Sequence, residues 1–254
     1  MRRLSRVASA LAGIGALAVF APPASADTVT VGSALQHPDT GALCTNCVGV
    51  QRTQAGGESP FPLISHVNGV VTSWAVRTSE PGALYTFRVL RPAGATSYTG
   101  AGSSPQITVP AGTTDSTLHN TVSLPIKQGD AIGIAVGGSP ANGLPQFTTN
   151  NPADAIGYAI PVFGDGAPSG NITDIPGHEL LLQGTIDYCN VPALKKLKTK
   201  AAKQTLRAHD CLPKVKRSRV KKSKFSGRVL KQKTAPGTTT APGTVVPIVI
   251  GTKK

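Results

Sequence analysis

Between residues 27 and 188 the chain offers no run of apolar side chains at helical spacing; short apolar or alternating stretches recur instead, each bounded by clusters of Gly, Pro, Ser and Thr. Successive side chains of a strand point to opposite faces, so short alternating runs broken by turn residues read as an all-β sandwich or barrel. The candidate strands are 67–77, 84–91, 117–124, 131–136, 156–162 and 179–186. Within 84–91, Leu84, Thr86, Arg88 and Leu90 fall on one face and Tyr85, Phe87 and Val89 on the other, and the second face is expected to be the buried one. Gly129-Asp130, Gly137-Gly138-Ser139-Pro140 and Asp165-Gly166 separate the candidates. Gly accepts positive φ and Asp hydrogen-bonds its own backbone, which makes these pairs turn formers. About eight strands in such a length suffice for a two-sheet jelly roll.

After residue 188 the composition changes. The segment 189–254 holds 18 of the 26 Lys and Arg and a single acidic residue, Asp210, for a net charge of +17. Residues 27–188 carry 5 basic and 11 acidic side chains, a net of −6. A neutral-to-acidic body is therefore joined to a strongly cationic module, and the asymmetry points to an anionic partner for one end. Along 199–208, Ala201, Ala202, Thr205, Leu206 and Ala208 share one sector of a helical wheel, with Lys200, Lys203 and Arg207 on the other side, as in a short amphipathic helix. Strands are expected at 214–221, 228–233 and 244–250, with turns at Pro236-Gly237 and Pro242-Gly243. The densest cationic run is Lys214, Lys216, Arg217, Arg219, Lys221, Lys222 and Lys224. With the three helix cations it forms the expected ligand surface; the competing explanation is a solvated strand edge, where Lys also discourages edge pairing.

Val191-Pro192, the Ala- and Lys-rich helix, Gly227-Arg228-Val229-Leu230-Lys231-Gln232, Ala235-Pro236-Gly237-Thr238 and Pro242-Gly243 before the closing strand stand in an order and spacing that resemble a PASTA domain. Two positions depart from the pattern: Lys196 stands where a glycine often follows the Val-Pro start, and Thr234 where a proline is usual. The resemblance implies a small extracytoplasmic α+β module, one helix on a short sheet, that binds peptidoglycan fragments or β-lactams.

Arg2, Arg3 and Arg6, an apolar run over 7–20 and Ala24-Ser25-Ala26 have the layout of a secretory signal peptide cleaved after Ala26. The run is broken by Gly13 and Gly15 and is shorter than the roughly 20 residues a spanning helix needs. No later stretch is apolar enough to span a bilayer as a helix. The expected organisation is 1–26 signal peptide, 27–188 β-sandwich and 189–254 PASTA-like module, in an exported, wall-associated protein.

Four cysteines in an oxidising compartment read first as disulfides. Cys44 and Cys47 are near enough in sequence to bridge locally, which leaves Cys189 to pair with Cys211 around the helix. Redox chemistry at Cys44 and Cys47 and a four-Cys zinc site are the alternatives; nothing near Cys44 reads as the helix start of a thioredoxin-type pair.

No cofactor or metal is expected. The five His, at 37, 66, 119, 178 and 209, are not at metal-ligand spacing, and neither a Gly-x-Ser-x-Gly elbow nor a phosphate-cradling glycine motif occurs. Asp165, Asp174, His178 and Glu179 are the nearest approach to a polar constellation, set among turn residues. Trp74 and Tyr85 are expected in the sandwich core; on an open sheet face they would stack on sugar rings. The expected function is thus non-catalytic attachment to peptidoglycan or another anionic wall polymer. The rivals are a wall or polysaccharide hydrolase with a catalytic sandwich, and an adhesin whose sandwich binds carbohydrate or protein. Nucleic acid suits the charge, but Phe225 alone is available for stacking and export removes it as a natural target.

Overall fold

Among the described residues, thirteen strands precede residue 191. The computed structural model describes residues 27–41, 43–54, 59–137 and 143–253; the expected export signal at 1–26 lies outside them. In chain order these strands are β1 (Asp27–Gly32), β2 (Val48–Thr53), β3 (Gly69–Thr78), β4 (Leu84–Pro92), β5 (Tyr98–Ser103), β6 (Ile107–Thr108) and β7 (Ser116–Ile126). There follow β8 (Ala131–Val136), β9 (Gln146–Thr148), β10 (Ala155–Ala159), β11 (Thr173–Pro176), β12 (His178–Leu180) and β13 (Leu182–Asn190). One sheet runs β1-β13-β3-β7 and the other β11-β10-β2-β8-β4-β5, with β6 on β4, all antiparallel. Setting aside the short strands, the first sheet takes the first, eighth, third and sixth strands, and the second takes the second, seventh, fourth and fifth. That interleaving is the jelly roll. β10 and β11 extend the second sheet beyond β2, and β9 pairs β12 apart from both.

The main core lies between the sheets, with Tyr85, Phe87 and Val89 of β4, Ile132, Ile134 and Val136 of β8, and Trp74 of β3 stacked 5.6 Å from Phe87. The opposite face of the second sheet corrects one sequence expectation. Arg88 and Leu90, assigned to the open side of β4, are buried, because the segment carrying Phe163 and Ile172 folds over them and closes a second cluster with Val48, Val50, Tyr98 and Ala135. Coverage on both sides also explains why all six residues of β8 are buried. The expected strand at 156–162 stops at Ala159, ahead of Pro161, which has no N–H for a ladder. The one at 179–186 is divided at Leu181, whose N–H donates to Pro145 O.

The cationic segment forms α1 (Thr199–Ala208), β14 (Leu212–Val220), β15 (Val229–Gln232), β16 (Thr239–Thr240) and β17 (Val245–Lys253). β17 is central, parallel to β14 and antiparallel to β15. The helix buries Ala202 and Leu206 against Val246, Ile248 and Ile250. Ala201 and Ala208, placed on the inner sector by the wheel, are exposed, because ten residues of helix on three strands cover only a narrow stripe. Both disulfides form, Cys44–Cys47 and Cys189–Cys211, the second inside the module's core.

No linker separates the two cores. β13 leaves the first sheet and pairs its last residues, Cys189 and Asn190, with β16. Asn68 donates through its backbone N to Thr239 Oγ1 and through Nδ2 to Thr239 O, at 3.1 and 3.3 Å, and His209 Nδ1 lies 2.8 Å from Asp27 Oδ2.

Candidate functional site

The loop between β13 and α1 is tied to the start of β15 by main-chain bonds, Lys196 N–H donating to Val229 O and Val229 N–H to Leu197 O, and the first residue of α1 is tied just ahead of β15 by Thr199 N–H donating to Gly227 O, each at 2.9 Å. Gln232 clamps the same loop, accepting from Leu194 N–H at 3.0 Å and donating from Nε2 to Pro192 O at 2.9 Å. Arg228 Nη1 donates to Lys196 O at 3.0 Å. Lys196 has φ 72°, a left-handed conformation that costs a side-chain-bearing residue roughly 1–2 kcal/mol.

This scaffold places Lys195, Lys196, Lys224 and Arg228 around a groove of about 390 Å³ that is also lined by Phe225, Val229 and Leu230. Lys224 Nζ sits 5.3 Å from the centre of the Phe225 ring, which is 41% exposed. Lys195 and Leu230 are shared with an adjoining hollow of about 240 Å³ that adds Lys231, Gln232 and Pro236. A separate hollow of about 560 Å³ beside the start of α1 is lined by Lys203, Arg217 and Lys253 together with Thr199, Val215 and Thr252.

Of the cations singled out in the sequence, Lys224 thus lines the first groove, and Lys203 and Arg217 the separate hollow. Lys214 and Lys216 pair in register with Pro247 and Val249, the side of the sheet turned away from the buried Val246, Ile248 and Ile250. Lys200, Arg207, Arg219, Lys221 and Lys222 are exposed and line none of these hollows. Sequence reading passed over Lys195, Lys196, Arg228 and Lys231 as site residues; Arg228 and Lys231 carried a signal only as members of the family-like motif, Lys196 only as a departure from it, and Lys195 none.

Residues 190–252 match the family model of the PASTA domain. The C-terminal module is a PASTA domain. No family model is matched by the sandwich, and no curated protein and no solved structure matches the chain. PASTA domains are cell-envelope modules that commonly bind peptidoglycan. The domain and the two disulfides fit an extracytoplasmic protein, and no helix among the described residues is long and apolar enough to cross a membrane.

Charge is handled differently in the two parts of the chain. In the sandwich Arg52 pairs with Asp174, Arg77 with Asp115, Arg88 with Asp165 and Arg91 with Asp130. The Arg77 pair is bidentate, at 2.8 and 2.7 Å, and hydrogen bonding from this guanidinium holds the Asp115 carboxyl below its ordinary range. Burial pulls the Arg88 pKa down against the opposing pull of Asp165. No Lys or Arg of the PASTA domain enters an ion pair among the described residues; its one paired cation-capable group is His209, with Asp27.

The polar constellation of the sandwich does not converge on one point. Asp165 accepts from Ser103 and faces Arg88, Asp174 faces Arg52, His178 Nδ1 lies 2.8 Å from Pro176 O, and Glu179 is buried. Trp74 and Tyr85 are in the core, 2% and 0% exposed, so neither supplies a stacking platform for a sugar. Tyr85 bonds Thr78 Oγ1 and Gly143 O, and burial pushes its phenol pKa up. Among the described residues no group of three or more His, Cys, Asp and Glu is arranged to hold a metal ion.

Proposed function

We propose that this is an exported, non-catalytic cell-envelope protein that attaches through its PASTA domain to peptidoglycan or an anionic polymer of the wall. The observation that carries the reading is the contrast in pairing: the sandwich pairs its arginines internally, whereas no Lys or Arg of the PASTA domain enters an ion pair among the described residues. Such a surface attracts polyanions over roughly a Debye length, about 10 Å at 0.1 M salt. The jelly roll is the part presented outward, and four of its carboxylates, Asp115, Asp130, Asp165 and Asp174, are each engaged with a separate arginine. Purified 27–254 sedimented with isolated cell wall is the test. Retention in the pellet at low salt is expected; a protein left wholly in the supernatant contradicts the reading.

A further inference from the structure

We infer that the open face of the PASTA sheet, the one turned away from α1, docks on the surface of an anionic lipid bilayer. This goes beyond wall attachment and does not depend on it. Strand register defines the face. Leu212, Lys214 and Lys216 of β14 lie beside Val245, Pro247 and Val249 of β17, and Val249 lies beside Lys231 of β15. Lys233, one residue past β15, donates its N–H to Pro247 O at 3.1 Å. The alternate residues of β17, Val246, Ile248 and Ile250, are buried in the core under the helix.

The central strand thus carries an apolar stripe with lysines on both flanks: Val249 stands between Lys216 and Lys231, and Pro247 is bordered by Lys214. Leu212 and Val245 form one end of the stripe and are 50% and 51% exposed, so neither the helix nor the sandwich covers them.

The chemistry of the face selects its occupant. No acidic residue occurs after Asp210, so a second copy presenting the same face would meet only like charge, and the complementary surface is anionic. The cations of the face are all lysines, whereas Arg217 pairs in register with the buried Ile250 and belongs to the helix side. A lysine ammonium is a point charge on a flexible stem, while the planar guanidinium suits one carboxylate or phosphate held in fixed geometry. Mobile point charges match a fluid layer of headgroups. Their apolar stems allow the ammonium groups to stay at headgroup level while Leu212 and Val245 enter the acyl boundary. Charge alone would serve a hydrated polymer and leaves those two side chains without a use; β14, β15 and β17 also contain no aromatic ring on which a sugar could stack.

Cosedimentation of the full mature chain with vesicles tests the assignment, using phosphatidylglycerol mixed with phosphatidylcholine in one set and phosphatidylcholine alone in the other. Three variants accompany the wild type. Lys214→Gln/Lys216→Gln/Lys231→Gln removes charge from the face, Lys200→Gln/Lys203→Gln/Arg207→Gln removes the same charge from the helix, and Leu212→Ser/Val245→Thr removes none. Thermal midpoints establish that each is folded. Wild type should bind the anionic vesicles at least tenfold more tightly than the neutral ones. The face triple should lose at least tenfold and the apolar double at least fivefold, with the helix triple within about twofold of wild type. Equal losses in the two triples with the apolar double unchanged reduce the interaction to net charge and overturn the face. Wild-type protein that ignores anionic vesicles overturns the lipid assignment. The vesicles contain no wall material, so either failure leaves the wall-attachment reading to its own test.

Discussion

At the scale of single residues, Lys196 is the point where sequence pattern and conformation explain each other. The family pattern often has glycine there, and the structure shows why: φ is 72°. Lys196→Gly is expected to raise stability by about 1 kcal/mol, the relief of left-handed strain less the greater freedom glycine has when unfolded, while weakening wall binding. Thermal melts and sedimentation of the same variant check both halves. Asp115 makes the complementary case in the sandwich. Its carboxyl is held below the usual range by Arg77, so folding favours the ionised form. The stability it contributes is present above about pH 4 and is lost as pH falls through the folded value. Melting temperature in the wild type should therefore drop more steeply below about pH 4 than in Arg77→Ala, compared by melts between about pH 2 and 6. Parallel curves would show that the pair does not carry that acid sensitivity.

At the scale of elements, the small helix–sheet module depends on its cross-link. Its buried cluster is ten residues, and Cys189–Cys211 closes a loop around α1. Loop-closure reasoning assigns such a bridge about 3 kcal/mol. Cys189→Ser/Cys211→Ser should therefore lower the unfolding free energy of the PASTA domain by about that amount, read by chemical denaturation followed through tryptophan-independent far-UV signal. A change under about 1 kcal/mol would mean that the core alone holds the module. The elements also divide by how clearly the sequence announces them. α1 and β8 were legible end to end, because helical spacing in one and an unbroken apolar run in the other leave little choice of period. β5 was missed: Gly100 and Gly102 supply no alternation, and Gly100 is needed where a Cβ would meet Gly164 O at 2.5 Å. β1 and β2 were missed for a related reason, since Thr28, Thr30, Gln51 and Arg52 interrupt short apolar sets that only a neighbouring strand turns into a ladder.

At the scale of the whole molecule, the interleaving of strands into a jelly roll is a long-range property, and the strand count alone pointed to it. The candidate site was less legible. Charge identified the module, but the groove draws Lys195 and Lys196 from one loop, Lys224 and Arg228 from another and Lys231 from β15, and no local run contains them. The junction was invisible for the same reason, as β13 carries straight from the sandwich into pairing with β16 and Asn68 reaches across to Thr239. The body and the module are thereby held in a set relation, with the paired arginines on one side of the junction and, on the other, cations that enter no ion pair among the described residues. The dependence of wall affinity on salt tests that division most directly. Between about 0.05 and 0.5 M salt, affinity of the mature chain should fall at least tenfold as the unpaired cations are screened; an affinity that does not change across that range would contradict the account.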